Sequence, residues 1–274
     1  MPLRQKNGYI FGGMSENAYL CRDNHTYILI HPFKNVSMLF LLILAVLPSI
    51  LLFLYIYMKD PIPEPFRLLF KAFVYGMVAC IPIIFVESIL MPIVSAFGEN
   101  VLGATIKAFF GAALPEEGFK LLALWLILRK NPYYDEHYDG IVYSVCVGLG
   151  FATVENIAYV MGSGDMMVAI SRAFLAVPCH YACAVLMGYF YSVYNFVDDS
   201  DRVKWSILLA PILAHGIYDS IAFLITILPE LSGVIMIVLC FFCIKLHQYC
   251  KKHIDKQLAQ DGNIRKRRDR DLEA

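Results

Sequence analysis

From Ser37 to about Tyr249 the chain is one apolar run after another, each long enough to cross the roughly 30 Å hydrocarbon core of a bilayer. Seven runs are present, at about 37–58, 68–96, 108–130, 140–161, 168–196, 205–227 and 231–249. In lipid a backbone N–H or C=O has no water to bond, so such a run crosses as a helix that satisfies itself. The expected fold is all-α: a polytopic transmembrane helix bundle of about seven spans, eight if a re-entrant segment is added. A soluble domain is excluded by composition, with 59% of residues hydrophobic and 17% charged, where soluble domains carry about 45–50% and about 25%. Residues 1–36 read as a short extramembrane segment with a strand pair around Tyr27–Ile30, 37–250 as the membrane domain, and 251–274 as a basic tail. The first 36 residues hold no apolar stretch suited to an export signal.

Lys+Arg and Asp+Glu both number 23, a formal charge of zero. The zero hides a polarity. Residues 245–274 hold nine basic and five acidic residues, a net of +4, which leaves 14 and 18 in residues 1–244, a net of −4. Basicity suited to nucleic acid is absent. The positive-inside bias places the tail in the cytoplasm, with Lys59 and Arg67, Arg129 and Lys130, and Arg202 and Lys204 on the same side. The opposite loops hold only Lys107. Seven spans then set the N-terminus outside the cell, while Arg4, Lys6, Arg22 and Lys34 pull the other way; an eighth segment would reconcile the two. Most of the eight cysteines lie in apolar runs, where Cys acts as a small hydrophobe. Cys240-x-x-Cys243, with no second pair, is a weak metal or redox signal.

A charged side chain at the bilayer centre costs roughly 2.5–3.5 kcal/mol on insertion scales, so such residues mark paired or functional sites. The spans contain Glu87, Glu116, Glu117, Lys120, Glu155, Arg172, His180, His215 and Asp219. In Pro115-Glu116-Glu117-Gly118-Phe119-Lys120, the i,i+4 spacing puts Glu116 and Lys120 on one helix face and turns Glu117 by about 100°. One carboxylate can then pair with the ammonium while the other acts as a base. Glu155-Asn156 and His180 lie late in span four and within span five. His215 and Asp219 are again i,i+4, so the carboxylate can hold the imidazole's tautomer. At about 1.5 Å per residue, Glu116, Glu155, His180 and Asp219 stand roughly 21–24 Å from the cytoplasmic ends of their spans, and His215 roughly 15 Å. Four helices thus bring acids and imidazoles to one level, between midplane and outer leaflet.

Such a cluster can activate water for attack on a peptide carbonyl, by general-base catalysis or through a zinc ion that lowers the water's pKa. Glu155, His180 and His215 would supply three zinc ligands with a fourth position open. The residues alone leave both routes open. A HExxH helix is absent. Gly162-Ser163-Gly164-Asp165 matches the GxGD string of presenilin-like aspartyl proteases, and Tyr138-Asp139 or Tyr218-Asp219 its YD partner. Asp165 falls in a loop and Asp139 at a membrane edge, which argues against that chemistry, and a rhomboid-like pair would need Ser163 in the same loop.

At these residues the sequence resembles the PrsW family of intramembrane proteases, distantly related to the CAAX prenyl proteases of the Abi group. The likeness runs from about Leu51 to Phe223. It takes in Tyr57-Met58-Lys59-Asp60, Glu64-Pro65-Phe66-Arg67, Glu87, Glu116-Glu117-x-x-Lys120, Phe151-x-x-x-Glu155-Asn156, His180 with Gly188-Tyr189, and His215-Gly216-Ile217-Tyr218-Asp219. The resemblance implies Glu116, Glu117 and His215 as the catalytic residues, with Lys120, Glu155, Asn156, His180 and Asp219 supporting them. It further implies a cell-membrane endopeptidase that makes the first, extracytoplasmic cut in a single-pass anti-sigma factor during a stress response. Relative to the Abi enzymes, Lys120 replaces an arginine one residue later and Glu155 stands where they place a histidine, which argues against prenylated substrates. Two other classes fit the same residues: a proton-coupled transporter or channel, although no internal repeat supports it, and a catalytically silent scaffold that binds a regulator.

Overall fold

The computed structural model describes residues 20–23, 26–29 and 37–273. Two short antiparallel strands, β1 (Leu20–Asp23) and β2 (Thr26–Leu29), pair with Leu20 opposite Leu29. Ile30, expected in that pair, lies outside the described residues. The helices are α1 (Met38–Lys59), α2 (Phe66–Ser95), α3 (Val101–Ile106), α4 (Leu114–Leu128), α5 (His137–Ser163), α6 (Met166–Ser171), α7 (Val177–Phe196), α8 (Asp201–Ile227) and α9 (Ser232–Glu273). π-helical segments, Lys107–Ala113 and Arg172–Ala176, join α3 to α4 and α6 to α7. The result is a polytopic helical bundle.

Six helical stretches are long and apolar enough to cross a membrane: α1, α2, α5, Met166–Phe196, α8 and Pro229–Lys266. The third expected crossing exists as the continuous helical stretch Val101–Leu128. It is less apolar than the six, because Lys107, Glu116, Glu117 and Lys120 all fall within it. Glu116, Glu117 and Lys120 thus lie in the interior of this crossing rather than at its ends.

Helices α5 and α6–α7 form the inner pair, with 78% of the apolar window of each buried, against 22% for α1 and α2 and 17% for the last crossing. Every residue from His137 to Thr153 is buried, as befits a helix apolar all round and covered on all sides. Close approach requires small residues. A Cβ on Gly188 would lie 2.3 Å from the Gly140 carbonyl oxygen, and one on Gly150 would lie 2.0 Å from that of Phe73. Backbone contact with α7 and α2 thus fixes α5 between them.

The α5 N-terminus is tied down twice. Glu136 and Asp139 form a capping box. Asp261 of α9 then accepts the backbone N–H groups of His137 and Tyr138, each at 2.9 Å, and lies 2.7 Å from His137 Nδ1. Helix α9 continues well past residue 250, turning Cys250, Ile254, Gln257 and Asp261 inward. Arg265 pairs with Glu136, and Gln257 Nε2 donates to the Tyr189 carbonyl at 3.2 Å. At the same end of the bundle Glu64 accepts a short hydrogen bond from the Tyr143 hydroxyl, and Lys59 reaches Asp255 at 3.5 Å. Cys80, Cys146, Cys179, Cys183, Cys240, Cys243 and Cys250 are free.

Candidate active site

Three site-bearing helices carry a proline within four residues of their reactive side chain: Pro115 before Glu116, Pro178 before His180 and Pro211 before His215. Proline lacks an N–H and crowds the carbonyl four residues back, so it opens the preceding turn. Ahead of Pro115 and Pro178 that turn is a π segment, a wide form frequent at functional sites. In α8 a further constraint acts beside His215. A Cβ on Gly216 would lie 2.5 Å from the Phe109 ring, so only glycine lets α8 close on the π segment that leads into α4. That approach brings His215 against Glu117.

Lys120 is the hub of the cluster. Its Nζ donates to Glu116 Oε2 at 3.1 Å and Glu117 Oε1 at 2.8 Å, and lies 3.2 Å from His180 Nδ1. The expectation that one carboxylate would stay clear of the ammonium fails here. The side chain at i+3 is also a helix neighbour, and Lys120 spans both acids. Its charge sits 4.0 Å from the centroid of Phe151, whose ring meets His180 edge-on at 5.4 Å.

Glu117 then reaches the second imidazole. Its Oε1 lies 2.9 Å from His215 Nδ1, and His215 Nε2 lies 3.3 Å from Asp219 Oδ2. The two imidazole rings stand perpendicular at 5.0 Å. Glu116, Glu117, Lys120, His180 and His215 are all buried; Glu117 is wholly enclosed, and its Oε2 has no hydrogen-bond partner among the described residues.

Glu155 and Asn156 lie one shell out. His180 Nε2 is 2.8 Å from Glu155 Oε2, and Arg172 donates to that same oxygen at 2.7 Å and to Asn156 Oδ1 at 2.8 Å. Asn156 donates to the Ala45 carbonyl and so fastens α5 to α1. Arg172, an intramembrane charge without an expected role, is the cation that holds Glu155. Its signal in the sequence was its place in an apolar run, and its partner lay 17 residues away in another helix. Glu87 is half-buried on α2, with no hydrogen bond or ion pair among the described residues.

The ligand atoms of Glu116, Glu117, His180 and His215 lie within 4.8 Å of one another, a spacing that a metal ion can bridge. Glu155, expected as a third ligand beside the two histidines, stands outside that group, drawn off by Arg172. The donor set suits zinc: two imidazoles and two carboxylates. Two observations favour a cation here. Glu117 Oε2 is a buried acceptor without a donor. In the bonded network four carboxylates, Glu116, Glu117, Glu155 and Asp219, face two permanent cations, Lys120 and Arg172. The formal deficit is −2 before the imidazoles are counted.

The aspartyl-protease strings do other work. Asp165 accepts from Met167 N at 2.7 Å as the N-cap of α6, and Asp139 accepts from Asp135 N and Glu136 N at the start of α5. They stand at opposite ends of α5, roughly 39 Å apart at 1.5 Å per residue.

A family model described as PrsW family intramembrane metalloprotease matches residues 64–246, a stretch that contains every residue of the cluster. The chain is 39% identical over 181 residues to Protease PrsW of Bacillus subtilis, a match covering 65% of this chain and 80% of that protein. It is 36% identical over 177 residues to Protease PrsW of Geobacillus kaustophilus, covering 64% and 76%. With Protease PrsW of Clostridioides difficile it shares 33% identity over 242 residues, covering 83% and 98%. No solved structure matches it.

Proposed function

Since the chain belongs to the PrsW family of intramembrane metalloproteases and is a multi-pass membrane protein, we propose that it cuts a single-pass regulatory protein, an anti-sigma factor, on the extracytoplasmic side of the membrane. One observation carries this reading: adjacent carboxylates and two imidazoles converge inside membrane-crossing helices, where ionised groups are otherwise costly. Glu116, the less enclosed of the two acids, takes the proton from the attacking water. Glu117 is shut in and holds His215 from one side while Asp219 holds it from the other, which fixes the ring's orientation. Glu116 then passes that proton to the leaving amine, which restores the carboxylate. Glu155 sets His180 in the same way, and Arg172 sets Glu155. A zinc ion held by Glu117, His180 and His215, three of the four converging residues, would leave Glu116 free as the base and one position open for Lewis-acid polarisation of the carbonyl.

Charge and depth support an extracytoplasmic cut. Lys59, Glu136, Asp255, Asp261 and Arg265 gather at one end of the bundle, the end that the positive-inside bias puts in the cytoplasm. Glu155 lies 18 residues beyond His137 along α5, roughly 27 Å from that end. Membrane-impermeant maleimide should label Lys252→Cys only from the cytoplasmic side; labelling from outside would reverse the orientation.

The activity test uses protein reconstituted in liposomes with a single-pass anti-sigma factor. Wild type cleaves it, and folded Glu116→Gln and His215→Ala do not. Cleavage by both variants at the parent rate would end the protease assignment for this cluster.

A further inference from the structure

We propose that the Lys120 ammonium and a divalent metal ion are alternative occupants of one ligand set, so that the metal must displace a cation built into the chain. This rests on reading the cluster as the protease centre. The three N–H bonds of an ammonium each find a partner here: Glu116 Oε2 at 3.1 Å, Glu117 Oε1 at 2.8 Å and His180 Nδ1 at 3.2 Å. Those are three of the four residues whose ligand atoms converge within 4.8 Å. A zinc ion approaches its nitrogen and oxygen ligands to about 2.0–2.2 Å. An ion at that distance from the same atoms would lie against Nζ, two positive charges in contact with no anion between them.

The exchange needs somewhere for Lys120 to go. Its Nζ already rests 4.0 Å from the Phe151 centroid. An aromatic face stabilises an ammonium, so the side chain can swing onto that ring without carrying a bare charge into lipid. His215 bonds Glu117 through Nδ1 and Asp219 through Nε2, so it would give up the Glu117 bond to turn Nδ1 to the metal while Asp219 still holds the ring. The cluster therefore has two filled states: one closed by the lysine, whose single charge offsets one of the two on Glu116 and Glu117, and one open to a metal.

The test measures zinc affinity by competition with a chromophoric chelator, using full-length protein in detergent after chelation. Lys120→Met should bind zinc about tenfold tighter or more than wild type, because the competing charge is gone. Lys120→Arg, which keeps the charge, should bind no tighter than wild type. Adding Glu117→Gln to Lys120→Met should abolish the gain, which locates the bound zinc in this cluster. If Lys120→Met holds its fold only when loaded, zinc release into excess chelator is timed instead and should be slower than from wild type. Equal or weaker binding by Lys120→Met, or equally fast release, overturns the proposal. So does a wild type that cleaves while neither it nor Lys120→Met binds zinc, an outcome that leaves the protease reading standing. Conversely, tighter zinc binding by Lys120→Met together with parent-like cleavage by Glu116→Gln and His215→Ala sinks the protease reading and spares the exchange.

Discussion

The molecule holds two polar networks of similar size, and they do opposite things. Within the spans, Glu116, Glu117, Lys120, His180 and His215 converge with a buried oxygen left over and a formal charge deficit. At the loop end, Asp261, His137, Glu136 and Arg265 close on one another, and every bond ends at a helix terminus or a surface charge. The loop-end quartet holds α5 in place, although Gln257 Oε1 nearby is itself buried without a partner among the described residues. What sets the intramembrane network apart is an unpaired oxygen together with a charge deficit, which leaves room for a further cation.

That contrast can be broken by substitution. Glu117→Gln keeps the shape of the side chain but removes the charge that holds His215 and Lys120. Cleavage per folded molecule should fall about 1000-fold, within the range for losing acid–base machinery, as read by single-turnover assay. Asp261→Ala should act the other way. It frees two backbone N–H groups at the α5 terminus, at a cost of about 2–3 kcal/mol in unfolding free energy, with cleavage per folded molecule within about twofold of wild type. Loss of cleavage in folded Asp261→Ala would mean that the two networks are one system.

Two smaller effects sharpen the picture of the loop end. Burial pushes the Glu64 carboxyl up to about 7 from 4.5, against the opposing hydrogen bond from Tyr143. A carboxyl raised in this way binds more protons folded than unfolded. Its contribution to stability is full below about 4.5 and is lost as pH rises through about 7. Wild type should therefore lose stability relative to Glu64→Gln across that window, seen as converging or crossing unfolding midpoints; a constant gap would contradict it. Arg265→Ala should cost least, about 1 kcal/mol or less, because the Arg265–Glu136 pair is partly exposed. Unfolding in denaturant measures it.

The same contrast explains what could be read from the chain. Apolar run length located five helices to within a few residues, and the start of a sixth, because in lipid length and polarity set the spans. The polar cluster is legible for a related reason: Glu116, Glu117, His180 and His215 are conspicuous in an apolar run. What they bond to is not. That Lys120 would bridge both acids, and that Arg172 would draw Glu155 out of the ligand set, depends on helix packing that one sequence does not display. The continuation of α9 stayed hidden because its charges resemble a solvated tail. Cys250, Ile254, Gln257 and Asp261 nevertheless recur at helical spacing, a pattern that marks a buried stripe once it is looked for.

The central claim is that residues from four helical crossings act as one hydrolytic unit. The most direct test is a double-substitution cycle on single-turnover cleavage with Glu117→Gln, His215→Ala and the two combined. Groups that act together lose their effect together, so the combined variant should cleave within about threefold of the slower single variant. Losses that multiply would show that Glu117 and His215 act independently and would contradict the account.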